Sequence, residues 1–307
     1  MITRFFKTSK PIHIVIIAVF TLIVFSITSL GNINEGLSFG IAIKALSKYS
    51  IVLISILTLS FLVKKNKLTN NNNYDILIYG LLLAILPITM QVTNILLANF
   101  FILLALRRII SLRSNINVKK KLFDAAFWIA VAALFHFWAI LFFVLIIAAL
   151  LLYSIAHFKN WIIPFIGVIV AMLITTSYFV IVYGSFEKLF NYMETISANF
   201  SSETFTTLTF EVSVIGALGT WALIFYSINL RQKQKAYRPM YVLILIAFLI
   251  GLAVIFISPN KDGSEFLFIF PVLAIIMANY LESVKKPWLA ELYVWFLIFT
   301  PITLLML

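Results

Sequence analysis

The chain has 307 residues, of which 63% are hydrophobic and only 11% are charged, and its formal net charge is +12 at pH 7. A soluble protein of this size has roughly a quarter of its residues charged, so this composition excludes a water-soluble globular fold. The chain has no cysteine, which excludes disulfides, zinc–thiolate sites and iron–sulfur clusters.

Apolar stretches long enough to cross a hydrocarbon core recur along the whole chain, and they predict an all-α, polytopic transmembrane bundle of about eleven spans. Seven spans are single stretches: Ile12–Leu30, Ala45–Val63, Trp161–Tyr183, Val212–Leu230, Met240–Ser258, Phe266–Leu281 and Leu289–Leu307. Two longer stretches supply the other four spans. Ile76–Ile110 is divided at Pro87–Asn94, because proline removes a helical hydrogen bond. Phe123–Ala156 is divided near His136.

The distribution of basic residues predicts the orientation of these spans in the membrane. With the N-terminus in the cytoplasm, nineteen of the 23 basic residues fall on the cytoplasmic side, as Lys and Arg do in membrane proteins. The net charge is then explained by topology and by anionic lipid head groups, so membrane lipids are expected partners and nucleic acid is not. We therefore expect a multi-pass protein of a bacterial inner membrane.

No polar stretch is long enough for a separate soluble domain, so residues 1–307 are predicted to form one integral membrane domain. The longest candidate, Gly184–Glu211, has fewer than 30 residues. Any active site must then be built from the spans and the loops between them.

Glu35 is the only carboxylate of the first outer loop. Partial desolvation of a carboxylate at a membrane surface favours a role as general base, so Glu35 is a candidate catalytic residue. The alternative is a solvated glutamate in a glycine-flanked turn.

A second candidate site is the loop that leads into the tenth span. Lys261, Asp262 and Glu265 lie within five positions of one another there, and Glu265 is expected at a helix N-terminus, where the helix dipole favours negative charge. These three are candidate substrate-binding residues. The alternative is a charged turn with no ligand.

His136 is a further candidate for substrate binding, because an ionisable residue at or within a membrane suggests function. Its aromatic neighbours also fit an interfacial, hydrogen-bonded histidine. The three scattered histidines have no paired carboxylates at metal-ligand spacing, so no metal and no cofactor is expected.

Two resemblances follow from particular segments. Phe123–Ala130 with its continuation to Phe143, and Trp161–Gly167 with Pro164, resemble an uncharacterised family of bacterial inner-membrane proteins known as a domain of unknown function. That likeness would cover nearly the whole chain and implies no activity.

Phe268–Ile276 and the loop before it resemble the late loop and helix of lipid-dependent GT-C glycosyltransferases, which also carry a carboxylate in the first outer loop, where Glu35 stands here. The usual aspartate of that loop is absent. The resemblance implies a transferase or polymerase that uses a polyprenyl-phosphate-linked sugar. Two other classes stay open: a non-catalytic subunit of an envelope assembly or secretion complex, whose partners would be other membrane proteins, and a transporter or lipid flippase.

Overall fold

A computed structural model of the chain describes residues 2–31, 39–155, 157–184, 202–259 and 261–306. These residues are all-helical and contain no strand, which confirms the predicted fold class. The α-helices are α1 (Ile2–Phe6), α2 (Pro11–Gly31), α3 (Phe39–Asn66), α4 (Tyr74–Ile85), α5 (Thr93–Ile110), α6 (Val118–Phe135), α7 (Phe143–Leu152), α8 (Phe158–Tyr183), α9 (Ser202–Leu230), α10 (Arg238–Ile257), α11 (Phe270–Ser283) and α12 (Pro287–Met306). The described part of the chain also contains four 3-10 helices: Pro87–Met90, Ser111–Ser114, Phe137–Phe142 and Ser264–Phe268.

Within the described residues, six helices are long and apolar enough to cross a membrane: Pro11–Ser29, Phe39–Asn66, Thr93–Ser114, Phe158–Tyr183, Leu208–Leu230 and Arg238–Ile257. In α8 only 17% of the apolar window is buried by protein, although its mean hydropathy is 2.4. A helix that is apolar on every side and mostly uncovered is unfavourable in water and favourable in lipid. The described helices therefore indicate a membrane protein.

Both predicted breaks in the long apolar stretches are confirmed. In the first stretch α4 ends at Ile85, the 3-10 helix Pro87–Met90 follows, and α5 starts at Thr93. In the second, α6 ends at Phe135 and His136 adopts an extended backbone conformation before the next 3-10 helix. Pro87, which lacks a backbone donor, marks the first break, and the extended backbone of His136 ends α6 at the second.

Several predicted span boundaries differ from the ends of the helices, and two of these differences concern candidate site residues. The eighth span was expected to start at Val212, but α9 starts at Ser202, so Glu211 belongs to a helix and not to a loop. The tenth was expected to start at Phe266, but α11 starts at Phe270 after the 3-10 helix Ser264–Phe268. Hydropathy alone marks where apolar sequence begins, whereas a helix continues wherever its backbone hydrogen bonds are satisfied.

The helices form two compact units, and the first comprises Met1–Leu96, Phe200–Gln232 and Asp262–Leu307. Its core is the pair α4 and α11, which are surrounded by α2, α3, α9 and α12. All twelve residues of α4 are buried, and so are Phe270–Leu281 of α11. At 1.5 Å per residue α4 is about 18 Å long, which is well short of a hydrocarbon core of about 30 Å.

Close backbone approach allows α2 to pack on α4. A Cβ atom added at Gly80 would lie only 2.7 Å from the Cγ2 atom of Ile17. Glycine is therefore required by space at this crossing, as is common where membrane helices pack.

The second unit comprises Leu97–Asn199 and Lys233–Lys261. Its tightest contact joins α6 and α8, where a Cβ atom at Gly167 would lie 2.8 Å from the backbone oxygen of Phe123. Ala125, Ala126 and Ala132 are buried on α6, so small side chains provide much of the packing. The 3-10 helix Phe137–Phe142 and α7 pack on α10.

Candidate functional site

Glu35, the predicted base, lies outside the described residues, so its role stays a prediction. The other predicted site residues are described. Lys261 and His136 belong to the second unit, and Asp262 and Glu265 belong to the first.

Lys261 lies beyond the C-terminus of α10. Its Nζ atom donates hydrogen bonds to the backbone oxygens of Ile255, at 3.2 Å, and Phe256, at 2.8 Å. The last carbonyl groups of a helix have no intrahelical donor, and a positive charge there is favoured by the helix dipole. The stabilisation of α10 is thus sufficient to explain a lysine at this position, and substrate binding stays a prediction.

Asp262 organises the turn that leads into the 3-10 helix Ser264–Phe268. The Asp262 Oδ1 atom accepts two hydrogen bonds from Ser264, one from the backbone N–H at 2.9 Å and one from the side-chain hydroxyl at 2.5 Å. Gly263, between them, has φ +90°, and a Cβ atom there would lie 2.7 Å from Leu208 Cδ1. A residue with a side chain would be strained and crowded at this position.

Glu265 lies inside the first unit and is only 2% exposed. The 3-10 helix Ser264–Phe268, which contains Glu265, packs against the 3-10 helix Pro87–Met90. The C-terminal end of α4 therefore lies next to the N-terminal end of α11. We name this region the proline end of the unit. Ser264 and Thr89 are also buried there, which makes it a polar region enclosed by protein.

Glu211 is a buried acid that the sequence analysis places at the end of the Gly184–Glu211 loop. It is 9% exposed, and its Oε2 atom has no hydrogen-bond partner in the described part of the chain. The buried residues of α9 recur every three or four positions and form one stripe: Glu211, Ile215, Gly219, Ala222 and Tyr226. Gly219 faces Leu273 of α11, so the stripe is the face of α9 that packs on the core.

The register of α9 against α11 locates Glu211 near the proline end. Leu208 contacts Gly263, and Gly219 contacts Leu273, so the two chain segments run parallel. Glu211 lies one helical turn after Leu208, about 5 Å along the axis. Glu211 and Glu265 are therefore two buried carboxylates at the same end of the first unit.

His136 ends α6 in the second unit and is buried. Its backbone N–H donates to the oxygen of Ala132, at 3.0 Å, and its own carbonyl oxygen accepts from the N–H of Ala139, also at 3.0 Å. The residue thus joins α6 to the following 3-10 helix. A substrate-binding role for its ring stays a prediction.

The opposite end of the first unit carries a polar network. Glu282 of α11 accepts hydrogen bonds from the backbone of Asn70, at 2.7 Å, from the side chain of Asn70, at 2.9 Å, and from the side chain of Asn72. We name this region the asparagine end. The sequence reasoning assigned no structural role to these asparagines.

The N-terminal helix α1 is held at the same end. Glu291 of α12 accepts hydrogen bonds from the backbone N–H groups of Ile2, at 2.6 Å, and Thr3, at 3.1 Å. The Thr3 hydroxyl donates to it at 2.5 Å. A carboxylate that accepts the first N–H groups of a helix is a favourable cap.

Among the described residues there is no group of three or more His, Cys, Asp or Glu side chains that could hold a metal ion. Two buried carboxylates with nearby hydroxyl groups can instead accept protons or hydrogen bonds from a polar substrate. This chemistry is what the proline end offers.

Comparison with known proteins gives one match. A sequence model for a family described as a family of unknown function (DUF6427) covers residues 4–306, nearly the whole chain. No curated protein and no solved structure matches the chain.

Proposed function

The chain therefore belongs to this family of unknown function, DUF6427, and because membership brings no activity with it, we propose a function from the site itself. The protein is a GT-C-like membrane transferase or polymerase that uses a polyprenyl-phosphate-linked sugar at the outer face of a bacterial inner membrane. The observation that carries the proposal is Glu211, a buried carboxylate on the packed face of a membrane-length helix, whose Oε2 atom has no hydrogen-bond partner among the described residues. A carboxylate in such a place suggests function by default, because it is costly to keep there.

The proposal includes eleven crossings with the N-terminus in the cytoplasm. The six long helices, four shorter apolar helices and α6 would together supply eleven. The distribution of Lys and Arg supports the orientation, which assigns the proline end to the outer side. Cysteines that replace Lys120 and Lys261 in this cysteine-free chain should react with an impermeant reagent from opposite sides, and labelling from one side would reject the topology.

In the proposed reaction, an acceptor hydroxyl oxygen attacks the anomeric carbon of the sugar. The bond between that carbon and the phosphate oxygen breaks, and polyprenyl phosphate leaves with the electron pair. Glu211 or Glu265 takes the proton of the hydroxyl, as a general base does. Glu35 is a further candidate for this role.

Irregular backbone supports a recessed site. Non-helical segments at membrane depth are tolerated where they are buried in protein or line a cavity. The two 3-10 helices at the proline end are segments of this kind, and they adjoin the short helices α4 and α11.

The test uses a deletion strain complemented with Glu211→Gln, Glu265→Gln or Glu35→Gln. Glutamine keeps the size of the side chain and removes its capacity as a base, so we expect surface glycan to fall at least tenfold in the first two strains at equal protein levels. Asp124→Asn is the control, because Asp124 forms an ion pair with Arg108 at 2.8 Å in the second unit.

Unchanged surface glycan in all three glutamine strains, or in the deletion strain itself, would reject the transferase. Stable co-purification with other envelope proteins in that case would favour the subunit hypothesis. A lipid that accumulates on one side of the membrane would favour the flippase.

A further inference from the structure

Asp75 is the second residue of α4 and lies at the asparagine end, far from the acids of the proposed outer site. Its side chain is 0% exposed. Neither of its carboxylate oxygens is hydrogen bonded to another side chain of the described residues. An ionised carboxylate is strongly disfavoured in such a place unless a cation or several donors surround it.

The polar side chains next to Asp75 are engaged elsewhere. The Asn73 amide donates to the backbone oxygen of Lys10 at 3.0 Å, and it lies 3.1 Å from Nδ1 of His13. The Tyr74 hydroxyl donates to the backbone oxygen of Thr3 at 3.0 Å. The network therefore forms around Asp75 without including its carboxyl group.

Charged groups from the neighbouring helices act on Asp75 in both directions. Burial and the Glu282 carboxylate of α11 disfavour an ionised Asp75, whereas the Lys64 ammonium of α3 favours it. Further titratable groups on the packed helices are His13, which faces Asn73, and Glu291, which caps α1. The same helices also carry Arg4, Lys65, Tyr280 and Tyr293.

We propose that Asp75 is a proton-binding site: the carboxyl group is protonated when the start of α4 is enclosed by α1, α2 and α11, and its ionisation loosens this end of the unit. An ionised Asp75 would need water or the Lys64 ammonium, and either must enter a region that is closed by the Asn73 and Tyr74 hydrogen bonds. The site lies at the opposite end from the proposed transferase site and does not depend on it.

The chain makes a direct test possible, because it contains only three aspartates: Asp75, Asp124 and Asp262. Uniform labelling with 13C-aspartate therefore gives three carboxyl signals in the reconstituted, unmutated protein. Asp124 is ion-paired with Arg108, and Asp262 accepts two hydrogen bonds from Ser264, whereas the Asp75 carboxyl group has neither kind of partner among the described side chains. We expect one carboxylic-acid carbonyl band or carbon resonance at pH 5 that is lost at higher pH.

The Asp75→Asn variant assigns the carboxylic-acid signal. The signal should be absent from Asp75→Asn and present in Asp124→Asn. Absence of any aspartic-acid signal at pH 5, or its persistence in Asp75→Asn, would overturn the proposal. The labelled wild-type protein keeps the test valid even where Asp75→Asn folds poorly.

The loosening has its own readout. Ser9→Cys replaces a hydroxyl that donates to Asn73 Oδ1 at 3.2 Å, so its labelling reports on the closed network. The measured quantity is the labelling rate of Ser9→Cys divided by the labelling rate of an exposed reference cysteine, Lys120→Cys. This ratio should rise several-fold from pH 5 to pH 8 in the wild-type background. It should not depend on pH in the Asp75→Asn background. A ratio that is constant in both backgrounds would refute the conformational part.

Discussion

Replacement of Gly167 by alanine tests whether backbone proximity, and not helix propensity, dominates the packing of α6 on α8. The added Cβ atom would lie 2.8 Å from the Phe123 oxygen, 3.1 Å from the Ala126 Cβ atom and 3.2 Å from the Phe127 nitrogen. Two of these neighbours are backbone atoms, which cannot rotate away as a flexible side chain can. The helices must therefore separate.

Two opposing effects set the magnitude. Alanine is a better helix former than glycine by about 1 kcal/mol. Overpacking of a well-packed interface costs about 1–3 kcal/mol. Gly216→Ala is the matched control, since a Cβ atom at Gly216 meets nothing within 4 Å and only the propensity effect remains. Gly167→Ala should therefore be less stable than Gly216→Ala by about 1–3 kcal/mol.

The assay is the fraction of detergent-solubilised protein that stays monodisperse after heating, measured by fluorescence-detected size exclusion. Each kcal/mol corresponds to about 2–4 °C in a domain of 150–250 residues. Equal midpoints for Gly167→Ala and Gly216→Ala would refute the close contact of α6 and α8. A higher midpoint for Gly167→Ala would also refute it.

Three further predictions concern charged groups. Glu291→Gln weakens the cap of α1, so a cysteine at Arg4 should be labelled several times faster, whereas Glu282→Gln should leave this rate unchanged. Asp75 is fully buried and neither carboxylate oxygen has a hydrogen-bond partner among the described side chains, so wild-type protein should lose stability as pH rises and this group ionises, and neutral Asn at this position should not. The free energy of unfolding of Asp75→Asn minus that of wild type should thus grow by about 1–3 kcal/mol between pH 4 and pH 7.5, and a flat difference in denaturant titrations would contradict this. Lys261→Met removes two hydrogen bonds to the end of α10 and should cost about 1 kcal/mol in the same titrations, whereas an unchanged midpoint would show that the cap is dispensable.

The helical class and the two helix breaks could be predicted because they follow from local chemistry. Pro87 lacks a backbone donor, and the polar residues up to Asn94 need partners that an apolar helix does not supply. His136 is the polar residue that marks the break in the second long apolar stretch. Such features depend on a few neighbouring residues, so they can be read from the sequence alone.

Hydropathy alone could not predict the burial of Glu211 or the hydrogen bonds of the asparagines, because both depend on contacts between distant parts of the chain. Glu211 looks like a loop residue in a hydropathy profile, and only the packing of α9 on α11 buries it. Asn70 and Asn72 look like part of a polar linker until Glu282, more than 200 residues later, accepts their hydrogen bonds. The helical spacing of Glu211 with Ile215, Gly219 and Ala222 is the sequence signal that could have indicated the burial of Glu211.

The core of the first unit joins two segments that are synthesised far apart in time. The segment Tyr74–Ile85 leaves the ribosome almost 200 residues before its partner, Phe270–Ser283. Until that partner arrives, the short helix α4 lacks the helix that covers it and the acceptor for the asparagines that precede it. Insertion of the first unit must therefore finish late, and truncated chains that lack α11 should be retained by insertion factors or degraded.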